Sequence, residues 1–133
     1  MNRPSDTRHM ALKVLMMPRD TNSHGTIFGG VLLSHIDQAG AIGAHYAMRD
    51  GGISKKPLVT VGMQSVEFHC PVFVGDVLSF WSSLVRIGRT SITILVEVEA
   101  ERQDRIEKLT QAEVTFVAVD LTSTERKPVP IRD

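Results

Sequence analysis

The chain has 133 residues, and its fifteen basic and fifteen acidic side chains give a net charge of zero near pH 7. This length predicts one domain over residues 1–133, with loose tails at 1–7 and 121–133. The balanced charge gives no reason to expect binding to nucleic acid or to a membrane surface. The single cysteine, Cys70, excludes an internal disulfide, and we predict a soluble cytoplasmic protein.

The first half of the chain predicts one long helix after an extended segment. Residues 9–17 read as a strand that Pro18 ends, because the residue before a proline avoids helical geometry. Residues 18–26 are rich in turn-forming side chains. The helix is predicted from about Gly30 to Met48, followed by a loop over 49–57.

The second half has the alternating pattern of strands. Residues 58–69 alternate between apolar and polar, and the alternation changes parity near Gln64, which predicts a bulge. Further strands are predicted at 77–87, at 91–102 and, after a charged loop, at 109–120. The turns between them are too short for helical crossovers. The fold class is therefore α+β with an antiparallel sheet.

The predicted helix is apolar on almost every side and rich in glycine and alanine. A helix of this kind is surrounded by protein, and its small residues allow strands to approach closely. We therefore expect the sheet to curl around the helix. The remaining face of the helix is expected to pack against a second copy of the chain.

Asp37 is the one carboxylate in the middle of this apolar helix. One interpretation is an aspartate on the solvent-exposed side of the helix. Against it, Leu33, Ile36 and Ala41 lie near Asp37 at helical spacing. A carboxylate enclosed by apolar side chains is a better proton acceptor. It can act as a general base on water or attack a carbonyl directly.

Gly29 and Gly30 open the helix about two turns before Asp37. The first N–H groups of a helix have no internal partner and carry the positive end of its dipole. Without Cβ atoms, these glycines allow a ligand carbonyl to approach, as oxyanion stabilisation requires. A Gly-Gly turn without any ligand is equally common. Asn22 either projects its amide toward the same place or caps its own turn.

The turn Gly88–Ser91, with the sequence GRTS, combines a glycine, Arg89 and two hydroxyls. Such a turn can hold a phosphate through backbone N–H groups and side chains. An ordinary exposed hairpin turn is the other interpretation. The spacing of the histidines and the cysteine predicts no metal site.

Several motifs together resemble the hotdog-fold acyl-CoA thioesterases of the cytosolic acyl-CoA thioester hydrolase family, which includes small bacterial members and the brain acyl-CoA hydrolase. The motifs are DTN, FGG, an aspartate seven residues after the second glycine, PVFVGD, GRTS and FVAVD. The matching stretches, in the order of the family, are residues 17–42, 59–78, 88–98 and 115–120. The loop 49–57 is longer than in the compact bacterial members, and His24 stands at a variable position.

The resemblance implies a hotdog fold, in which a long antiparallel sheet wraps one central helix. It implies hydrolysis of acyl-CoA to a free fatty acid and CoA, with no cofactor, since CoA is part of the substrate. It also implies a homo-oligomer with active sites at a dimer interface, commonly a hexamer built as a trimer of dimers. The family's catalytic roles fall on Asp37, Asn22 and Gly30. Its substrate-binding roles fall on Phe28, Gly29, Gly88, Arg89, Thr90 and Ser91.

Two alternatives stay open. Hotdog dehydratases act on hydroxyacyl thioesters with a histidine paired to a helix carboxylate, a role that His24 or His35 would have to fill. The other alternative is a non-catalytic acyl-CoA-binding module, which would bind CoA ligands without releasing a thiol.

Overall fold

The computed structural model describes residues 7–133, so the prediction for the segment 1–6 lies outside it. A short 3₁₀ helix lies at Pro18–Asp20. One α-helix and five strands make up the rest of the fold. They are β1 (His9–Leu15), α1 (Gly29–Asp50), β2 (Leu58–Phe68), β3 (Val77–Ile87), β4 (Ser91–Arg102) and β5 (Arg105–Ala118). The strand order is β1-β3-β4-β5-β2, and every neighbouring pair is antiparallel. The predicted α+β class with an antiparallel sheet is confirmed.

The bulge predicted in β2 is present. The pairing of β2 with β5 shifts register between Gln64 and Glu67, and Ser65 has a φ of 56°. An extra residue of this kind bends a strand and increases its twist. The bulge therefore helps the edge of the sheet to curl around the helix.

The charged loop predicted before β5 is wrong, because β5 begins at Arg105 and leaves only a tight turn after β4. Gln103 adopts a φ of 53°, which closes this turn. The charged residues that follow are paired across the hairpin: Arg102 contacts Glu107 at 3.2 Å, and Lys108 contacts Glu97 at 3.4 Å. Charge on the exposed side of a strand does not prevent its backbone from completing the ladder.

One face of the sheet packs on the helix and forms the core. In β4, the residues on this face are completely buried, as the period-two pattern predicts; they are Ile92, Ile94, Val96, Val98 and Ala100. The helix contributes a buried stripe that consists of Leu32, Ile36, Ala39, Gly40, Gly43, Ala44 and Met48. The sheet therefore wraps the helix as the hotdog fold requires.

Glycines let the helix approach the sheet. A Cβ placed on Gly43 would lie 2.5 Å from the Cβ of Ser82 and 3.1 Å from Cγ2 of Ile94. A Cβ on Gly40 would lie 3.2 Å from Phe116. These distances are shorter than ordinary carbon contacts, so Gly43 is required by packing and not by its backbone conformation.

The expectation of a loose segment over 121–133 is wrong for its last residues. Ile131 is completely buried, and its N–H donates to the carbonyl of Arg89 at 2.8 Å. The N–H of Val129 donates to the carbonyl of Ala118 at 2.8 Å. Two apolar side chains, each directly after a proline, are too weak a pattern to predict docking, yet burial of Ile131 helps to hold the segment.

Arg102 joins the β4–β5 hairpin to the turn before β3. Its Nη2 donates to Asp76 Oδ2 at 2.6 Å and to the carbonyl of Pro71 at 3.0 Å. Nη1 donates to Glu107 at 3.2 Å. The side chains of Arg102 and Asp76 are only 18% and 14% exposed.

Replacing Arg102 by methionine is expected to lower the free energy of unfolding by about 2 kcal/mol, because it leaves the Asp76 carboxylate largely buried without its counter-ion. Urea denaturation measures the change. Arg105→Met is the matched control: Arg105 also contacts Glu107, but its side chain is 70% exposed, and an exposed pair contributes less than about 1 kcal/mol. Equal losses in the two variants would contradict the prediction.

Candidate active site

Asp37 lies where α1 meets the edge strand β2. Its Oδ1 accepts a hydrogen bond from the hydroxyl of Thr60, with an O–O distance of 2.7 Å. Asp37 is half-buried and Thr60 is exposed. The hydrogen bond orients the carboxylate, and its second oxygen, Oδ2, has no partner among residues 7–133. That oxygen is therefore open to water or substrate.

Sequence reasoning missed Thr60. A single threonine on an alternating strand carries no signal of function, and the contact with Asp37 exists only because the helix packs beside β2. The apolar enclosure predicted for Asp37 is also not completed by one protomer. Ile36 points into the core, where it is completely buried, while Leu33 is half-buried and Ala41 is exposed.

The helix start presents unpaired backbone N–H groups. The N-cap residue, Phe28, makes no side-chain cap, and its carbonyl accepts from the N–H of Val31 and of Leu32 at 3.1 and 3.4 Å. Within residues 7–133, the N–H groups of Gly29 and Gly30 have no partner. These two groups are the available donors at the positive end of the helix dipole.

Neither backbone conformation nor packing within the protomer requires glycine at these positions. Gly29 and Gly30 do not have positive φ angles. A Cβ on Gly30 would meet nothing within 4 Å, and one on Gly29 only the ring of Phe68 at 3.9 Å. The missing side chains therefore leave open space in front of the two N–H groups, as a ligand carbonyl needs.

A cavity of about 390 Å³ opens at this helix start. Its lining includes Thr26, Gly29, Leu32, Phe68, His69 and Cys70. A hydrogen bond with Glu107, together with partial burial and the Glu107 charge, raises the pKa of the Cys70 thiol. Since thiolates rather than thiols are nucleophilic, this shift weighs against Cys70 as a nucleophile.

Asn22 organises the loop that leads into the helix. Its Oδ1 accepts the N–H of His24 at 2.8 Å and the N–H of Thr26 at 3.2 Å. Its Nδ2 donates to the Thr26 hydroxyl at 2.9 Å. Within one protomer, Asn22 therefore caps its own turn. The second hydrogen of its Nδ2 has no partner in the described chain.

The turn Gly88–Ser91 is tight and open to solvent. The N–H of Gly88 donates to the carbonyl of Ser91 at 2.8 Å. A Cβ on Gly88 would lie 2.9 Å from the Ser91 hydroxyl oxygen. The Arg89 side chain is exposed and, within residues 7–133, makes no ion pair. The carbonyl of Thr90 accepts a hydrogen bond from the N–H of Ala118 at 2.9 Å. The backbone of the turn is therefore fixed, and the Arg89 guanidinium is available to a ligand.

The strand register places this turn at the same end of the sheet as Asp37. Ser91 pairs with Val117 in β5, and Thr60 in β2 pairs with the adjacent Phe116. Two strand spacings, roughly 10 Å, therefore separate the turn from Thr60.

The glycine helix start lies at the opposite end. Gly29 neighbours Phe68, and Phe68 pairs with Thr110. Seven residues of β5 separate Thr110 from Val117, which corresponds to roughly 23 Å. Within one protomer, the turn Gly88–Ser91 therefore lies near the Asp37 carboxylate but far from the Gly29 helix start.

The histidines do not pair with the helix carboxylate. His35 bonds the carbonyl of Val31 at 2.9 Å, and its ring packs on Phe80. His24 is exposed in its loop. In the described part of the chain no histidine lies within ion-pair distance of Asp37, which weighs against the dehydratase alternative.

Residues 7–133 contain neither a metal site nor a membrane-spanning helix. No group of histidine, cysteine and carboxylate side chains there is arranged to hold a metal ion. The helix found there is not long and apolar enough to cross a bilayer.

Comparison with known families agrees with this geometry. A model described as the thioesterase superfamily matches residues 24–107, a span that includes Asp37, both helix-start glycines and the turn Gly88–Ser91. The chain belongs to the thioesterase superfamily.

Individual members of the thioesterase superfamily are similar over most of their length. The acyl-CoA thioester hydrolase YciA of Salmonella typhimurium is 38% identical over 92% of this chain and 91% of its own. A hexameric hotdog-fold thioesterase of Campylobacter jejuni is 42% identical over 92% of this chain and 89% of its own, with a TM-score of 0.78. The hotdog fold is thus confirmed.

A third relative in the superfamily has been solved with ligands. It is an acyl-CoA hydrolase of Staphylococcus aureus, 29% identical over 96% of this chain and 73% of its own, with a TM-score of 0.76. It was solved in complex with butyryl-CoA, CoA and CoA disulfide. Variants of it in which an aspartate, a threonine or an asparagine is replaced by alanine were also solved.

Proposed function

We propose that the protein hydrolyses acyl-CoA thioesters to a free acid and CoA. The observation that carries this proposal is the half-buried Asp37 carboxylate, oriented by Thr60 at 2.7 Å, in a chain of the thioesterase superfamily. A carboxylate held in this way can act as a general base or as a nucleophile toward a thioester carbonyl.

The active site is proposed to combine two chains. Within one helix, Gly30 and Asp37 are seven residues apart, or roughly 10 Å along the axis. The first N–H groups point out of the helix, away from Asp37. A reacting carbonyl must lie about 3 Å from both its attacking group and its hydrogen-bond donors. Asp37 of one protomer therefore acts with Gly29 and Gly30 of a second protomer.

The edge strand β2 suits this pairing. Within the described chain its outer side has no strand partner, and Val61 and Phe68 are 59% and 53% exposed. A long, unpaired edge strand with exposed apolar side chains is a template for pairing with another chain. We propose a dimer whose sheets join through β2, and we propose that three such dimers form a hexamer, the size of assembly that the Campylobacter jejuni relative has.

In this site, the Gly29 and Gly30 N–H groups polarise the thioester carbonyl. Asp37 either removes a proton from the attacking water or attacks the carbonyl carbon itself, expelling the CoA thiolate and forming an anhydride that water then cleaves. Asn22, with its one unused amide hydrogen, orients the water or the thioester. Arg89 and Ser91, with Gly88 and Thr90, hold CoA phosphates, and Phe28 covers the entrance. Single turnover in water labelled with heavy oxygen distinguishes the two routes, because only an anhydride can place the label in Asp37.

The Staphylococcus aureus relative supports the assignment of roles. Its asparagine and aspartate that were replaced by alanine are fifteen residues apart in its sequence, the same separation as Asn22 and Asp37 here. The third residue studied in that protein is a threonine seventeen positions after its aspartate. Thr60, which bonds Asp37 here, is 23 positions after Asp37, so residue type agrees at this position but separation does not.

A thiol-release assay over short, medium and long acyl-CoAs tests the proposal, with light scattering on the same sample to measure the assembly. Hydrolysis of at least one chain length is expected, at a rate that EDTA does not change. Enoyl product from 3-hydroxyacyl-CoA without thiol release would indicate a dehydratase. Binding of acyl-CoA without any turnover would indicate the non-catalytic module.

A further inference from the structure

A second cavity, of about 390 Å³, lies between the second half of α1 and the loop 51–57 that leads into β2. We call it the α1–β2 cavity. Its walls include the apolar side chains Ala41, Met48, Ile53 and Leu58. The volume is within the range of sites that hold small molecules, and such sites are lined mainly by apolar groups.

The cavity begins beside the proposed catalytic pair. Ala41 is one helical turn beyond Asp37 on the same face of α1. Leu58 precedes Thr60 by two residues and therefore shares its face of β2. A chain attached to a carbonyl at the Asp37–Thr60 pair can enter the α1–β2 cavity directly.

The charges at the rim favour an uncharged occupant. Arg49 is neutralised by Asp50, to which it donates twice at 2.9 and 3.0 Å. Lys56 is neutralised by Asp133 at 2.6 Å. The other two basic side chains of the lining, His45 and Lys55, make no ion pair with a carboxylate of residues 7–133, and both are exposed. The inner walls of the cavity therefore present hydrocarbon, and its unpaired basic groups lie at the exposed rim.

We propose that the α1–β2 cavity takes the alkyl chain of the acyl group and that Ile53, at its outer end, limits the length of that chain. This inference rests on the proposed function and specifies its substrate: acyl groups with an unbranched, uncharged chain long enough to reach Ile53. Burial of each methylene in such a cavity favours binding. Chains longer than the cavity meet the loop 51–57.

The position of Ile53 is fixed from both sides. Its N–H donates to the carbonyl of Met48 at 2.8 Å. The next residue, Ser54, donates its hydroxyl to Asp133 at 2.6 Å and its N–H to the same carboxylate at 3.2 Å. Hydrogen bonds from Lys56 and Ser54 lower the pKa of Asp133 to about 2. The carboxylate is therefore ionised above that value and can accept the hydrogen bonds from Ser54 and Lys56 that hold the loop.

Replacing Ile53 by tryptophan tests the inference by filling the outer end of the cavity. The measurement is kcat/KM for acetyl-, hexanoyl- and decanoyl-CoA. The acetyl-CoA value is expected to stay at that of the wild type, and the longer substrates are expected to lose about fourfold per excluded methylene. An unchanged chain-length profile, or an equal loss for all three substrates, overturns the inference.

Ile106→Trp is the matched control, since it makes the same change at a side chain that is 66% exposed in the β4–β5 hairpin. It is expected to keep the wild-type profile. If Ile53→Trp does not fold, Ala41→Leu narrows the inner end of the cavity with a residue that helices accept well, and the same loss on longer chains is expected. A wild-type protein that hydrolyses none of the three substrates overturns the proposed function itself, whereas an active wild type with unselective variants overturns only the cavity assignment.

Discussion

Replacing Asp37 by alanine is expected to lower kcat for acyl-CoA hydrolysis by about a thousandfold, because a positioned general base or nucleophile contributes 10²–10⁴-fold. The carboxylate bonded to Thr60 at 2.7 Å is the only group of the proposed site that can start the attack. Arg89 and Ser91, the proposed CoA contacts, are untouched by this change. Calorimetric titration with CoA is therefore expected to give the wild-type dissociation constant.

Asp104→Ala is the control for Asp37→Ala. Asp104 is exposed in the β4–β5 turn, so its removal is expected to leave kcat at the wild-type value. Wild-type hydrolysis of a broad acyl-CoA panel by Asp37→Ala would contradict the proposed mechanism. Loss of CoA binding in Asp37→Ala would show that the aspartate holds substrate rather than reacting with it.

Mixing two inactive variants tests whether the site joins two chains. In a dimer of Asp37→Ala with Gly30→Val, one of the two sites carries both defects and the other carries none. Random mixing makes half of all dimers mixed, so about a quarter of the wild-type rate is expected to return. No recovery after verified subunit exchange would place both groups in one chain.

Replacing Gly43 by alanine is expected to lower the free energy of unfolding by about 1 kcal/mol, the overpacking cost less the gain in helix propensity. A Cβ at this position would lie 2.5 Å from the Cβ of Ser82, and an overpacked core costs about 1–3 kcal/mol. Alanine is better than glycine in a helix by about 1 kcal/mol, but the contact is so short that the helix must move away from β3. Urea denaturation followed by circular dichroism measures the loss.

Gly30→Ala is the matched control, because it makes the same change in the same helix where a Cβ would meet nothing within 4 Å. Its stability is expected to equal or exceed that of the wild type. Its activity is expected to fall, since the new methyl group lies where the thioester carbonyl approaches the helix start. If Gly43→Ala were as stable as Gly30→Ala, the close approach of α1 to β3 would be refuted.

Much of the fold could be predicted from the sequence because its signals are local. Alternation of apolar and polar residues gave the bounds of β3 and β4, and the parity change near Gln64 gave the bulge of β2. The concentration of glycine and alanine in α1 predicted the close approach that Gly43 makes to Ser82. Each of these signals depends only on residues within a few positions of one another.

The site could be predicted only in part. Asp37 and the glycine helix start stand out because an acid in the middle of an apolar helix and two adjacent glycines are locally unusual. Thr60 does not stand out, since its role depends on a helix and a strand that are 23 positions apart in sequence. Docking of Ile131 against the core near Arg89 likewise depends on distant residues.

The sequence by itself determined the elements, the class of fold and the aspartate that we propose as the reacting group, because periodicity and residue type act over short stretches. Only the tertiary structure decided how these parts are placed. In the tertiary structure, Thr60 donates a hydrogen bond to Asp37, and the turn Gly88–Ser91 lies near that pair. The Gly29 helix start lies at the other end of the sheet. Strand register and helix packing set these distances. These distances are the reason for our proposal that a second chain completes the site.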